Sequence, residues 1–358
     1  MSNHESPAAP HRIALVPGDG IGTEVIPAAR RVLDAVAEHE GLSLEYRTYD
    51  WSCDRYLREG AMMPSDGLDR LREHDAILLG AVGDPGVPDH VSLWGLLIPI
   101  RRRFRQYVSL RPIRVFPGLP GPLRAADTSE IDFVVVRENC EGEYSEIGGR
   151  LNRGFPDEMA VQESVFTRPG VTRLLDYAFE LAERRGGRLT SATKSNGIVH
   201  TMPFWDELVA GRAALRPEVP WDQEHVDALA AKFVLDPGRF DVVAASNLFG
   251  DILSDLAAAV AGSIGIAPSA NINPEGDFPS MFEPVHGSAP DIAGRGVANP
   301  LGAVWSAAMM LEHLGHRTAA ERITSAMTRI LAGGEVRTPD LGGTATTEEF
   351  TGALVAAL

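Results

Sequence analysis

The stretch Ile13–Glu40, IALVPGDGIGTEVIPAARRVLDAVAEHE, decides the reading of the fold. IALVP is a short apolar run of the buried-strand kind, GDGIG stops it, and from Thr23 onward apolar residues recur at helical spacing. That is a strand, a glycine turn and a helix. An ordinary Rossmann dinucleotide fingerprint would need its third glycine at position 23, where Thr23 stands, so this is not a standard Rossmann fold. From spacing alone, Gly18, Gly20 and Gly22 fit a tight turn and a bare backbone approached by a ligand equally well.

Outward from this unit, DAILLGAVG, FVVVRE and FDVVAAS read as further strands, and VTRLLDYAFELAERR and AVWSAAMMLEHLG as helices. The alternation predicts an α/β architecture. A chain of 358 residues exceeds what one core usually organises, so two domains are expected. Residues 145–165 break the rhythm as an arm, a hairpin or a surface loop would. The Pro- and Gly-rich stretch 268–300 reads as a long ordered loop, the kind that usually serves a function.

Several function classes drop out. With 33 basic against 49 acidic residues the net charge is −16, which repels nucleic acid and acidic lipid surfaces. No apolar run is long enough to span a bilayer. The start, MSNHESPAAPHR, does not read as a secretory signal, and Cys53 and Cys140 are too few for a disulfide framework, which suits a reducing cytoplasm.

The residues that carry chemistry are unevenly spread. In NLFGDILSDLA, Asp251 and Asp255 lie one helical turn apart on one face. Either both are solvated at a helix start, or a divalent cation sits between them, and oxygen-only ligands favour Mg2+ or Mn2+. Lys194 is one of only two lysines and lies in TSATKSNGIVH, which has no other formal charge; it is an exposed loop lysine or a proton carrier. Lys232, on a helix, reads as a surface residue. Arg101, Arg111 and Arg137 belong to an arginine-rich region that could hold a small dicarboxylate by both ends, and Tyr144 carries a hydroxyl seven residues beyond Arg137.

Taken together, GDGIG, LLIPIR, LRP, VVVRENCEGEYS, TKSNG, NLFGDILSDL and FEPVHGSAPDIAG, in that order over residues 11–315, resemble the decarboxylating dehydrogenase family that includes isopropylmalate, isocitrate, tartrate and D-malate dehydrogenases. The resemblance implies an isopropylmalate dehydrogenase-like two-domain fold with a mixed central sheet. Its first domain would be discontinuous, residues 1–106 plus 262–358, around a central domain of 107–261 whose arm at about 145–165 clasps a second copy. It further implies a homodimer with shared sites. Arg101, Arg111 and Arg137 match the substrate-carboxylate clamp, and Asp251 and Asp255 match metal ligands for Mn2+ or Mg2+. Asp227 matches a third ligand from the neighbouring subunit, Lys194 the base, also reaching across the dimer, and Tyr144 the acid. Asp291, in GSAPDIAG, matches the carboxylate that selects NAD over NADP, with Glu283, His286, Gly287, Ser288, Ala289 and Asn299 along the same loop. Potassium is suggested as an assisting ion, with no site assignable from the sequence.

Substrate choice depends on SLWGLLIPIR, where Trp94 stands at a position that is acidic in isopropylmalate enzymes. Its indole should fill the space of a bulky third-carbon group, so the resemblance is greatest to the tartrate and D-malate branch. Ser109, Arg105 and Cys140 depart from that branch's usual Asn, Asp and Thr. Cys140 reads as a small buried thiol. A 3-isopropylmalate dehydrogenase is the alternative within the family; a noncatalytic dimeric metabolite-binding protein is the alternative from another class.

Overall fold

A computed structural model describes residues 9–119, 121–123, 131–262 and 264–358. Of the start MSNHESPAAPHR, residues 1–8 lie outside them. The opening stretch forms strand β1 (His11–Gly18) and the helix Gly22–Glu40. Val25, Ile26, Ala29, Val32, Leu33 and Val36 make the buried face of that helix, and Gly41 ends it in the left-handed conformation at φ 66°. Each such buried Val, Leu or Ile side chain contributes about 1.5–3 kcal/mol before its ordering entropy is subtracted.

The remaining strands are β2 (Leu44–Thr48), β3 (Ala76–Ala81), β4 (Val108–Arg114), β5 (Asp132–Glu138), β6 (Gly148–Leu151), β7 (Met159–Gln162), β8 (Leu189–Thr193), β9 (Trp221–His225), β10 (Val242–Ala245), β11 (Pro268–Ile272) and β12 (Ser280–Pro284). Among the described residues ten of them form one sheet in the order β2-β1-β3-β12-β11-β4-β5-β10-β8-β9. Both flanks are parallel, whereas β12, β11, β4 and β5 are successively antiparallel, so the two flanks run in opposite senses. The sheet is therefore mixed, as expected. β11 and β12 correct one expectation: part of the Pro- and Gly-rich stretch 268–300 is sheet rather than loop.

This antiparallel centre positions the site. Arg111 lies opposite Val135, Ser109 opposite Arg137 and Asn271, and Ser269 opposite Glu283. Because side chains alternate along a strand, Ser109, Arg111, Arg137, Ser269, Asn271 and Glu283 share one face, while Leu110, Val136, Ala270 and Phe282 share the other. A polar seam thus crosses the middle of an otherwise apolar sheet. The larger core packs helices such as Gly22–Glu40, Arg168–Arg185 and Leu301–His313 on the sheet, and a smaller one gathers Ala14, Val16, Trp51, Ile77, Leu79 and Phe104. β6 and β7 form a separate hairpin with every residue exposed, which is the arm expected at 145–165. No helix among the described residues is long and apolar enough to cross a membrane.

Candidate active site

The first glycine cluster proves to serve the protein's own backbone. A Cβ at Gly18 would lie 2.0 Å from the Ala81 carbonyl oxygen, at Gly20 2.0 Å from that of Ser288, and at Gly22 2.1 Å from that of Pro17. Gly18 and Gly20 also have positive φ, 73° and 54°, so a side chain is excluded twice over. Asp19 between them is buried and accepts N–H bonds from Cys53 (2.9 Å) and Gly83 (3.0 Å), while the Ile21 N–H donates to the Ser288 carbonyl at 2.8 Å. The turn therefore anchors the loop that begins after β12.

On the polar seam three guanidinium groups converge. Arg101 lies in the last turn of the short helix Ile98–Arg103; it is buried and donates from Nη2 to Glu283 Oε1 at 2.8 Å, and Asn271 Nδ2 donates to the same oxygen at 2.8 Å. Arg111 reaches Asp255 Oδ1 at 3.3 Å, Asp251 Oδ1 at 3.4 Å and Ser254 Oγ at 3.2 Å. Arg137 is paired with Asp251 and donates to Asn247 Oδ1 from Nε (3.1 Å) and Nη2 (2.7 Å). The helix Asn247–Val260 can come this close because Gly250 faces Arg137: a Cβ there would sit 2.6 Å from Arg137 Cβ.

These groups line a cavity of ≈160 Å³ together with Leu93, Ile98, Tyr144, Asn247 and Asp251. Its lining presents three guanidinium groups and one carboxylate, with Glu283 and Asp255 paired to Arg101 and Arg111 from outside it, and so favours an anion. Burial pushes the Arg137 pKa down to about 10, with Arg111 and Arg101 acting in the same direction against Asp251, so it stays charged at neutral pH. Arg101 Nε and Arg111 Nε are buried donors without a partner among the described residues, and such donors are costly unless a ligand takes them.

Burial disfavours ionised Asp251, yet Arg137 and Arg111 outweigh it and hold the carboxyl below its usual range. Asp255 is moved up by burial, with Arg111 opposing and Asp251 adding to the shift. Their mutual repulsion is relieved here by the bridging Arg111. The donor set, two hard carboxylates one turn apart, fits a divalent cation such as Mg2+ or Mn2+. Tyr144 donates its hydroxyl to Asp251 Oδ2 at 3.1 Å, and burial and Asp251 raise its pKa, so the phenol keeps its proton.

A second cavity, of ≈170 Å³, lies on the other side of the arginines and shares Arg101 and Arg111 with the first. Its walls include Leu79, Ala81, Ser269, Glu283, His286 and Gly287. His286 Nδ1 is 3.0 Å from the Gly287 carbonyl, and burial lowers the imidazole pKa, which keeps the ring neutral. Ser288 carries the carbonyl that meets the glycine turn, and Ala289 adopts φ 41°, a strained value for a residue with a Cβ. Farther along, Asp291 is exposed, and Asn299 bridges Leu301 N–H (3.0 Å) and Asp340 Oδ2 (2.9 Å).

The structure does not gather every residue singled out above. Lys194, just after β8, donates to Asp227 Oδ1 at 2.8 Å, and this bond holds the Asp227 carboxyl below its usual range. The pair sits beside the edge strand β9, and neither residue lines the arginine cavity. Among the described residues no group of three His, Cys, Asp or Glu side chains converges within one chain. Trp94 lies in the π-helical turn Leu93–Leu97 under the Arg102 guanidinium, 4.9 Å from the ring centroid; Leu93 and Ile98, not the indole, line the cavity. Cys140 places Sγ 3.6 Å from the Arg101 carbonyl, and burial pushes its thiol up to about 12, as a small inert thiol requires.

Three residues with clear roles escaped the sequence reading. Asn247 and Ser254 share the helical face of Asp251 and Asp255, at i, i+4, i+7 and i+8, and that spacing was the signal. Glu143 accepts from Ser246 Oγ (2.8 Å) and Leu248 N–H (3.0 Å), capping the same helix at its positive end. Its adjacency to Tyr144 ties the phenol's segment to the aspartates.

Residues 12–354 match the isocitrate/isopropylmalate dehydrogenase family. The chain is 55% identical to a tartrate dehydrogenase/decarboxylase of Pseudomonas putida, covering 97% of this chain and 98% of that protein. It is 56% identical to the D-malate dehydrogenase (decarboxylating) of Escherichia coli strain K12, with 96% and 97% covered. Its structure is similar to the crystal structure of isocitrate dehydrogenase from Methylococcus capsulatus, with a TM-score of 0.88, 34% identity and 97% and 99% of the two chains covered. Fold and similarity agree, and the chain belongs to the isocitrate/isopropylmalate dehydrogenase family of decarboxylating oxidoreductases.

Proposed function

We propose that this protein oxidises and decarboxylates D-malate to pyruvate and CO2, with activity on tartrate, using NAD and a divalent cation, Mn2+ or Mg2+, as a homodimer. The observation that carries the reading is the cavity in which Arg101, Arg111 and Arg137 face Asp251 and Tyr144. A short dicarboxylate can be held at both ends by the guanidinium groups, with its reacting carbons between the aspartate pair and the phenol. The similarity to tartrate and D-malate enzymes, well above the identity to the isocitrate enzyme, supports the substrate class.

When bound, the cation supplies Lewis acidity at the 2-hydroxyl and the nicotinamide supplies the hydride acceptor. Lys194 takes the proton of that hydroxyl as the C2 hydride leaves. The resulting 2-keto acid has a carboxylate β to its carbonyl, and the arginines hold that carboxylate until CO2 departs. Tyr144 then delivers a proton to C3. The proton removed by Lys194 balances the one delivered by Tyr144, so malate dianion and NAD+ give pyruvate, CO2 and NADH with no net proton. The second cavity, sharing Arg101 and Arg111 with the first, suits the nicotinamide, and Glu283, His286, Gly287, Ser288, Ala289 and Asn299 extend along the loop toward Asp291.

Two observations support a shared site. Lys194 and Asp227 pair with each other and neither lines the cavity, which is the arrangement expected if a neighbouring copy's pair completes it. The arm also leaves Leu151 (60%), Phe155 (67%) and Met159 (49%) exposed, an apolar surface that a clasped partner would cover. The same reading divides the chain into 1–106 with 262–358 and 107–261. The return of the chain to place β12 beside β3, with β11 next to it, supports that division. The two free cysteines suit the cytoplasm.

A panel of D-malate, L- and meso-tartrate, 3-isopropylmalate and isocitrate tests the substrate reading. Mn2+-dependent NADH formation is expected with D-malate foremost; a preference for 3-isopropylmalate would replace the reading with the leucine-biosynthesis alternative. Trp94→Ala should raise kcat/KM for 3-isopropylmalate relative to D-malate, by roughly tenfold, by loosening the turn whose Leu93 lines the cavity. Asp291→Arg should raise the KM for NAD and let NADP compete, since the carboxylate that repels a 2'-phosphate becomes a cation. An unchanged NAD/NADP ratio of kcat/KM would remove Asp291 from the cofactor site.

A further inference from the structure

We infer that Arg102 is a positioning residue that couples the substrate wall to the proton donor, tying Trp94 to Tyr144 from outside the cavity. The inference rests on the proposed roles of those two residues. Arg101 turns into the cavity, but its neighbour Arg102 turns away and makes three contacts at once. Nη1 pairs with Glu146 Oε2 at 2.6 Å, Nη2 donates to the Tyr144 carbonyl at 2.8 Å, and the flat face of the guanidinium covers the Trp94 ring at 4.9 Å. The three partners come from two separate segments, the π-helical turn before the helix Ile98–Arg103 and the strand-to-arm connection after β5.

Tyr144 is held at its other end by Asp251, at 3.1 Å. That carboxylate also serves Arg137 and Arg111, and in the proposed reaction a cation as well, so its hold on the phenol is contested. The Arg102 bond to the Tyr144 backbone is independent of this competition. A planar fork is needed, because a lysine ammonium cannot present two parallel donors and a stacking face together. Trp94 shares its turn with Leu93, which lines the cavity, so any shift of Arg102 moves that part of the wall and the residue that protonates C3.

Arg102→Lys and Glu146→Gln test this in the intact enzyme, with two reactions measured side by side. Overall oxidative decarboxylation of D-malate needs the Tyr144 proton; NADH-dependent reduction of oxaloacetate to malate does not. In Arg102→Lys the first is expected to fall roughly tenfold in kcat while the second stays within about twofold, and the KM for D-malate rises because the turn that carries Leu93 is released. Glu146→Gln, which leaves the bond to Tyr144, should show the same split at smaller size. Equal loss of both reactions would mean a merely structural arginine, and no change in either would mean an idle one; both outcomes overturn the inference. If the unsubstituted enzyme forms no NADH from D-malate or tartrate with Mn2+, the proposed function fails and takes this inference with it, and that result is separate from any behaviour of the variants.

Discussion

Lys194→Met is expected to lower D-malate oxidation by roughly 10²–10⁴-fold, the usual worth of a positioned proton-transfer group. Reduction of oxaloacetate should fall in parallel, because the same hydroxyl proton must be returned in that direction. Tyr144→Phe should behave differently: its loss falls on decarboxylation and leaves oxaloacetate reduction nearly intact. Lys194 is half-buried in a segment whose only cationic group it is, and Asp227 at 2.8 Å fixes its position. Measuring both directions for both variants separates the two roles. Undiminished oxidation by Lys194→Met would remove the base.

Asp255→Asn is the second large effect. Cation affinity in oxygen sites follows the number of charged ligands, and losing one carboxylate should weaken Mn2+ binding on the order of 100-fold, about 2.7 kcal/mol. The protein should survive the change, because Asp255 is paired only through Arg111 at 3.3 Å and its side chain is 54% exposed. Asp251→Asn would be harder to interpret, since Asp251 also supports Arg137, Arg111 and Tyr144. Direct Mn2+ titration by electron paramagnetic resonance reads the affinity without turnover. An unaltered Mn2+ dissociation constant would contradict the ligand role.

Much of the fold was legible because local pattern and tertiary role coincide. IALVP is buried in β1, the helical spacing after GDGIG lies on the sheet, and FVVVRE and FDVVAAS become β5 and β10. β11 and β12 were not legible, because Ser269, Asn271 and Glu283 alternate toward the polar seam and so lack the apolar rhythm of a core strand. Of the site, the spacing of Asp251 and Asp255 and the scarcity of lysine carried real information. The pairing of Arg101 with Glu283, 182 residues apart, depends on strands meeting across the sheet and leaves no periodic trace. Nor does spacing reveal that Lys194 and Asp227 pair with each other outside the cavity lining, or that the glycines of GDGIG accommodate the protein's own backbone.

In the proposed enzyme two chains build each site, one giving the arginines, Tyr144, Asp251 and Asp255, the other giving Lys194 and Asp227. Mixed dimers of Lys194→Met with Asp251→Asn, each inactive alone, measure this most directly. With shared sites, every heterodimer contains one site in which all these groups are native, and random exchange should restore about a quarter of the unsubstituted activity. A mixture that forms heterodimers and stays inactive would contradict the account, because it would place each complete site within a single chain.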